Sequence, residues 1–211
     1  MRKIIATTLL LCGCMSIQAQ SLTDLFKAFT SSSSSSTDTS EEVEVSTIAL
    51  SETSMLGSWN FTQLAVDLSD DSALKGFAGT AVIKQVESLL NSVASSSGIS
   101  ENMFTIIFSS RSDATISFKD SQTTIKPTYS IDTTQNTISI DMGKVSDIEV
   151  GILTANVTLS GDSATLLVDA KALIAVADQV PDIASNTQYS MIKSVATSVD
   201  GLLMGFVVQK Q

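Results

Sequence analysis

The sequence predicts a mainly β domain with helical insertions (α+β), in which an eight-stranded antiparallel barrel is covered or plugged by about three helices. Three observations lead to this prediction. Apolar and polar residues alternate at period two through the middle of the chain, and short polar turns separate these runs. Longer stretches elsewhere carry apolar residues at helical spacing. Closure of the sheet would remove its exposed edges.

The first residues have the composition of a secretory signal. Arg2 and Lys3 precede an apolar run over residues 4–11, and small or polar residues follow as far as Ala19. This run of eight residues is shorter than the roughly 20 that span a bilayer, so we expect no transmembrane helix. We predict that residues 1–19 are a signal peptide cut after Ala19 and that the protein is exported.

A second processing route stays open. Leu11-Cys12-Gly13-Cys14 is similar to a lipobox, and cleavage there would make Cys14 the lipid attachment site. Membrane contact is expected only in that case. By either route the folded domain lacks a disulfide pair, because both cysteines of the sequence lie in this segment. An ordinary hydrophobic core must therefore stabilise the domain.

A change of composition divides the rest of the chain. Residues 20–54 are rich in Ser, Thr and Glu, including an unbroken serine run over residues 31–36. Such a segment has too little apolar surface to offset the entropy cost of ordering, so we predict a flexible tether, with room for a weak strand near its end. Residues 55–211 are apolar and periodic, and they are predicted to form one domain with a sizeable core.

Eight strands follow from the alternating runs. We place them at residues 58–68, 104–108, 114–118, 124–131, 138–142, 148–159, 164–168 and 202–209. Pro127 predicts a ladder gap or bulge in the fourth of these strands, since proline donates no hydrogen bond. The apolar phase switches within residues 148–159, and Gly151 is the expected bulge at the switch.

Three helices follow from the longer stretches, at residues 72–96, 170–180 and 186–200. Asp71 or Ser72 is the expected N-cap of the first helix, and Gly98 is placed to end it. Asp169 is expected to cap the second helix and Pro181 to stop it. Their apolar faces require burial, so we expect the helices to dock on the sheet.

The start of the first strand carries a family resemblance. Gly57-Ser58-Trp59 is similar to the Gly-x-Trp opening of lipocalins. Over residues 56–208 the chain also resembles an uncharacterised lipocalin-like domain family of secreted proteins from Gram-negative gut bacteria, including the helix at residues 74–93 and the segment at residues 200–206. The resemblance implies a lipocalin-like barrel in the periplasm, or at the outer membrane or cell surface, of a Gram-negative bacterium. It implies no catalytic residue.

Several activities are excluded by what the sequence lacks. It contains no histidine, no Gly-x-Ser-x-Gly elbow, no phosphate-cradling glycine loop and no dinucleotide fingerprint. The net charge of -10, with no local cluster of Lys and Arg, disfavours nucleic acid as a partner. We therefore expect a protein that is not an enzyme, with no metal site and no cofactor.

Carboxylates are the remaining groups that could act in catalysis or bind a metal ion. Asp67, Asp70 and Asp71 lie before the first predicted helix, and Asp147 and Glu149 lie at a strand start. The first group lacks the spacing and the glycine of a calcium loop, and capping of the helix explains it better. The second pair is interpreted as solvated.

Five aromatic residues are the candidate ligand-binding residues: Trp59, Phe104, Phe108, Phe118 and Tyr129. The alternative is that they are plain core, because something must fill a barrel of this size. We thus predict a non-enzymatic envelope binding module that holds a small apolar ligand or docks an envelope protein. The alternative is a structural or interaction protein with a filled barrel and no ligand pocket.

Overall fold

The structure is a computed structural model that describes residues 47–72, 77–97, 99–110, 112–119 and 124–211. Three sequence predictions lie wholly or partly outside these residues: the signal peptide with Cys14, the tether as far as residue 46, and the first predicted helix, of which residues 73–76 and the expected terminator Gly98 are not described. In the part that is described, no helix is both long enough and apolar enough to cross a membrane.

The described residues form ten strands and five helices. The strands are β1 (Thr47–Ile48), β2 (Gly57–Leu68), β3 (Phe104–Phe108), β4 (Ala114–Phe118), β5 (Thr124–Ile125), β6 (Thr128–Asp132), β7 (Thr137–Val145), β8 (Ile148–Ser160), β9 (Ser163–Asp169) and β10 (Leu202–Lys210). The helices are α1 (Glu52–Met55), α2 (Phe77–Ser97), α3 (Ala170–Ala177), α4 (Pro181–Ala184) and α5 (Thr187–Ser198). The predicted mainly β fold with helical insertions is confirmed.

All ten strands belong to one antiparallel sheet. Its hydrogen-bonded order is β5-β4-β3-β2-β10-β9-β8-β7-β6, and β1 pairs with β8 beside this path. The last strand returns to the first long one, with Leu202 opposite Leu68 and Lys210 opposite Trp59. The sheet is therefore strongly curled around its core.

The sheet differs from the predicted closed, eight-stranded barrel in the number of its strands and in its closure. One predicted strand is divided at Lys126 and Pro127 into β5, which pairs with β4, and β6, which pairs with β7. β1 is a further strand. β5 and β6 are thus the two ends of the ladder, and the barrel is open between them apart from the isolated bridge between Asp113 and Thr128. We call the region around Lys126 and Pro127, where β5 and β7 are not paired, the seam.

Pro127 is the physical reason for the division between β5 and β6. It has no N–H to donate to a ladder, although its carbonyl oxygen accepts a hydrogen bond from Ala114 N at 2.9 Å. The ladder gap predicted at this proline is confirmed. Two other local predictions are also confirmed. The register of β7 and β8 shifts next to Gly151, and the Asp169 carboxylate accepts from Lys171 N at 2.7 Å as the N-cap of α3.

A bulge in β2 sets the inward direction of its side chains. The register against β10 shifts between Val207 and Val208, which leaves Thr62 as an extra residue on β2. The Thr62 hydroxyl donates to the Val207 carbonyl oxygen at 3.0 Å. The extra residue moves the alternation by one position, so Phe61 and Leu64 both face the interior.

Residues 47–54 pack against the domain, although they fall within the segment expected to be a tether. Ile48 of β1 pairs with Leu159 of β8, and Leu50 is buried. The following helix α1 begins with a capping box, in which Ser51 and Ser54 each accept a hydrogen bond from the other's backbone N–H. These residues cover the end of the sheet where β2 begins, which we call the lower end.

The lower end is closed by a close-packed cluster. Trp59 and Met55 are both almost fully buried, and the indole Nε1 donates to the Met55 carbonyl oxygen at 2.7 Å. Lys210 Nζ donates to the Ser54 carbonyl oxygen at 3.2 Å and lies 5.2 Å from the centre of the Trp59 ring. These contacts fix α1 to the last strand.

Helices cover the opposite end of the sheet, which we call the helix end. α2 follows β2, whereas α3, α4 and α5 lie between β9 and β10. α2 contacts both β2 and α5, and α3 contacts α5. Gln179, just after α3, joins the group to β8, since its side-chain amide bonds both Glu149 N at 3.0 Å and Glu149 O at 2.8 Å. Pro181 does not end the second predicted helix, which stops at Ala177, but opens α4.

Candidate functional site

A cavity of about 170 Å³ lies inside the curled sheet, between the lower end and the helix end. All strands of the long sheet path except its two end strands, β5 and β6, contribute to its walls, and α2, α3 and the segment before β3 also contribute. Its lining includes four phenylalanines and three methionines, namely Phe61, Phe104, Phe118, Phe206, Met103, Met142 and Met204. The other lining residues are Leu64, Leu90, Ile99, Ile106, Ile116, Ile140, Leu153, Ala155, Leu166, Val168, Leu173 and Gly205.

Phenylalanine rings form one wall of the cavity. The centroids of Phe104 and Phe206 lie 5.2 Å apart with an angle of 83° between the rings, and those of Phe61 and Phe104 lie 5.0 Å apart. Phe118 meets Phe104 edge to face at 6.3 Å. Edge-to-face pairs of this kind are favourable beyond the area they bury, so the wall is a stable surface.

None of the lining residues has a polar side chain. A hydroxyl, amide or charged group placed inside the cavity would leave water without gaining a side-chain hydrogen bond, which is costly. Apolar groups gain free energy by the same transfer. The three methionines add adaptability, because their thioether side chains are flexible and polarisable. The cavity is therefore suited to apolar groups alone.

The structure divides the five candidate ligand-binding residues between two places. Phe104 and Phe118 line the cavity. Trp59, Phe108 and Tyr129 are buried at the lower end and are not among its lining residues. The rings of Phe108 and Tyr129 meet edge to face at 5.0 Å, and Tyr129 Oη donates to the Ser109 carbonyl oxygen at 2.9 Å. Burial, followed by the charges of nearby carboxylates, raises the pKa of the Tyr129 hydroxyl.

Sequence reasoning missed several lining residues. Phe61 lies two positions after Trp59, so the alternation of β2 was a signal that could have found it. Phe206 follows Met204 by the same spacing on β10. Met103 precedes β3 in an irregular segment, and no sequence pattern distinguishes it.

Charged groups lie on the surface of the helix end. Asp178 accepts from Lys193 Nζ at 2.6 Å and from Tyr189 Oη at 2.8 Å, and these hydrogen bonds lower the pKa of its carboxyl group. Lys171 and Asp200 form a further ion pair at 2.6 Å. Within the described ranges, no three side chains of His, Cys, Asp or Glu are grouped so that they could hold a metal ion. The ion pairs therefore join helix-end elements and take no part in the cavity.

Asp67 and Glu149, two of the carboxylate residues considered in the sequence analysis, make hydrogen bonds to nearby parts of the fold. Asp67 Oδ1 accepts from Leu68 N at 2.8 Å, next to it in the chain. Glu149 is held through its backbone by Gln179. These bonds position backbone at the helix end.

A curled antiparallel sheet around an apolar cavity defines a lipocalin-like, binding-type fold. The sequence profile described as Lipocalin-like domain (DUF4923) matches residues 26–210, so the chain belongs to this family. The matched region begins before the domain boundary predicted at residue 55. The lipocalin-like family predicted from the resemblance over residues 56–208 is confirmed, whereas secretion and a gut-bacterial source stay predictions. No curated protein and no solved structure matches the chain.

Proposed function

We propose that this protein is a non-enzymatic binding module whose domain holds a small apolar molecule, or the apolar end of a larger one, in its cavity. The observation that carries the proposal is an interior space lined entirely by apolar side chains and backbone. The lipocalin-like family supports it, because the fold is of the binding type. The sequence contains no histidine, which excludes a Ser-His-Asp catalytic triad.

The volume of the cavity limits the size of the ligand. Sites for drug-sized molecules usually measure about 300–1,000 Å³, whereas this cavity measures about 170 Å³. An apolar cavity of roughly 150 Å³ in another protein binds benzene. The buried part of the ligand is therefore about the size of six carbon atoms.

A structural or interaction protein without a ligand is the second candidate function. The small cavity and the close packing at the lower end favour it, since most of the interior is filled by side chains. The large hydrophobic side chains exposed on the described surface, Ile48, Ile107 and Ile152, lie on β1, β3 and β8. Isolated apolar residues of this kind are ordinary on protein surfaces and do not define a docking patch.

We also propose that the domain acts outside the cytoplasm, in the periplasm or at the outer membrane or cell surface. The support for this is the signal-like segment at residues 1–19, with Cys14 as the alternative lipid attachment site. The intact mass of protein from the envelope fraction tests it. Cleavage after Ala19 or acylation at Cys14 supports the proposal, and an unprocessed cytoplasmic protein would contradict it.

Native mass spectrometry with solvent extraction tests the binding function. Protein purified from its own host under mild conditions is expected to carry an apolar molecule that extraction releases. Ala155→Leu adds a side chain inside the cavity and is expected to abolish this occupancy, provided that circular dichroism shows it folded. Thr158→Leu is the matched control, because the exposed Thr158 lies on the same strand. If no ligand is found and added apolar probes do not bind, the filled-barrel alternative is correct.

A further inference from the structure

The four phenylalanines of the cavity form one cluster of rings. Phe104 is at its centre, with its ring centroid 5.0 Å from that of Phe61 and 5.2 Å from that of Phe206. The Phe118 ring meets Phe104 at 6.3 Å, and Phe61 and Phe206 meet at 6.5 Å. All four separations lie within the range of about 4.5–7 Å that favourable aromatic pairs adopt. The rings therefore interact as a group that joins β2, β3, β4 and β10.

Two of these rings have surface that is free to contact a ligand. Phe61 and Phe118 are buried, whereas Phe104 and Phe206 are only half-buried. β3 and β10, which carry the half-buried rings, each have a paired strand on both sides, and both side chains line the cavity. Their exposed surface therefore faces the interior space. A group bound in the cavity would contact these two rings.

The lining differs in composition from the rest of the core. Seven of the 19 lining residues are Phe or Met. Of the buried apolar residues that do not line the cavity, only Met55 and Phe108 are of these two types within the ranges that the structure describes. The others are mainly Val, Leu, Ile and Ala. Rings and polarisable thioethers are therefore concentrated around the cavity.

Two of the three lining methionines are close in sequence to the half-buried rings. Met103 directly precedes Phe104, and Met204 is two residues before Phe206 on β10. Met142 lines the cavity from β7, which β8 and β9 separate from β10. A sulfur about 5 Å from an aromatic ring makes a favourable contact, often at the edge of the ring. An aromatic ligand would therefore find suitable partners among the methionines as well as among the phenylalanines.

We infer that the group held in the cavity is a benzene ring, alone or as the end of a larger molecule, which joins Phe104 and Phe206 as a further member of the ring cluster. This inference rests on the proposed binding function and narrows its ligand class. A saturated group of the same size would also gain free energy by leaving water, but it would lack the ring–ring and sulfur–ring contacts. Because no lining side chain is polar, the part of the ring inside the cavity carries no hydroxyl or charged substituent.

Calorimetric titration with benzene and cyclohexane tests this inference. Both probes are six-membered carbon rings, and about six carbons fill the cavity. The affinity of the purified protein for each probe is divided by the partition coefficient of that probe between water and hexadecane, which removes the difference in hydration. On this corrected scale benzene is expected to bind at least about fivefold more tightly than cyclohexane, since one ring contact of about 1 kcal/mol corresponds to that ratio.

Substitution of single phenylalanines separates the ring contacts from burial. Phe206→Leu removes one of the half-buried rings but keeps an apolar side chain, so the ratio of the benzene affinity to the cyclohexane affinity is expected to fall about threefold or more. Phe108→Leu is the matched control, because Phe108 is buried outside the cavity, and it should leave the ratio unchanged. Phe104→Leu provides the same test if Phe206→Leu does not fold. Ala155→Leu should abolish the binding of both probes, which would locate them in the cavity.

The molecule that solvent extraction releases from the protein provides an independent readout, since its proton NMR spectrum should contain aromatic signals. A released molecule with alkyl groups alone would overturn the inference. Equal corrected affinities for the two probes, or a ratio that Phe206→Leu leaves unchanged, would also overturn it. In these cases the binding function stands and the rings serve only as core. If neither probe binds and no molecule is released, the proposed binding function fails as well.

Discussion

Phe104 of β3 and Phe206 of β10 meet edge to face across β2, with their ring centroids 5.2 Å apart. Their strands are not neighbours in the sheet, so the contact depends on the curl that brings the two side chains to one wall of the cavity. Edge-to-face pairs contribute about 0.5–1.5 kcal/mol beyond the area they bury. The wall of the candidate site is therefore also part of what stabilises the fold.

Phe206→Ala should enlarge the cavity and lower stability. Truncation of a fully buried Phe to Ala costs about 3–5 kcal/mol. Because Phe206 is only half-buried, we expect the free energy of unfolding to fall by about 2–4 kcal/mol. Urea unfolding measures the change. Ile152→Ala is the control, because this side chain is 65% exposed and its removal should cost less than about 0.5 kcal/mol. Equal losses in the two variants would contradict the packing described for the wall.

Gly205 allows the close approach of β10 and β9. A Cβ atom at this position would lie 1.9 Å from the Leu166 carbonyl oxygen, so the backbone would have to move. We expect Gly205→Ala to lower the free energy of unfolding by about 3 kcal/mol. Gly161→Ala is the comparison, because Gly161 has a φ of 56° but no neighbour near its Cβ position, and only about 1 kcal/mol of backbone strain is expected. A smaller loss at Gly205 than at Gly161 would be inconsistent with this approach.

Lys210→Met should weaken the closure of the lower end. The variant loses both the hydrogen bond to the Ser54 carbonyl oxygen and the ammonium above the Trp59 ring. We expect a loss of about 1 kcal/mol in urea unfolding followed by the fluorescence of Trp59, the single tryptophan of the chain. Lys84→Met removes an exposed lysine of α2 and should have no measurable effect. The interpretation fails if the two variants unfold at the same urea concentration.

Asp178→Asn should remove a pH-dependent contribution to stability. Hydrogen bonds from Lys193 and then Tyr189 lower the pKa of the Asp178 carboxyl group below its ordinary value of 3.8. A lowered folded-state pKa gives stability that is present above the ordinary pKa and is lost as the pH falls through the folded-state value. The wild-type protein should therefore be more stable than the variant at pH 7. The difference in the free energy of unfolding should disappear once the pH has fallen below the folded-state pKa of Asp178.

The size of this difference is limited by solvent. The Asp178 side chain is 39% exposed, so we expect less than about 1 kcal/mol at pH 7. Urea unfolding of both proteins at several pH values provides the measurement. A difference that is constant with pH would show that the ionised carboxylate is not responsible.

Local sequence patterns predicted much of the fold. Period-two alternation located β3 and β4, the missing N–H of Pro127 located the ladder gap, and the carboxylate of Asp169 located a helix start. The bulge at Thr62 could not be predicted in this way, because it depends on the register that β2 adopts against β10, a strand far away in sequence. Residues 47–54 have the composition of a flexible segment, but they fold as β1 and α1 because they pack against the sheet. This tertiary packing could not be predicted from local composition.

The candidate site was less predictable than the fold. Phe104 and Phe118 share an inward phase with Phe108, and the strand pattern placed all three inside. Which of them borders empty space depends on how α1 closes the lower end, where Phe108 packs against Tyr129. Alternation shows which face of a strand is buried, but it does not show where the core is incompletely filled.

NMR of the methionine methyl groups tests the existence of the binding cavity most directly. Met103, Met142 and Met204 line the cavity, whereas Met55 is buried at the lower end and Met191 lies on α5. Titration of methyl-labelled protein with 1-octanol should shift the first three signals saturably and leave Met55 and Met191 unchanged, and Ala155→Leu should abolish the shifts. Uniform small shifts of all five signals, or no saturation, would contradict a ligand-binding cavity.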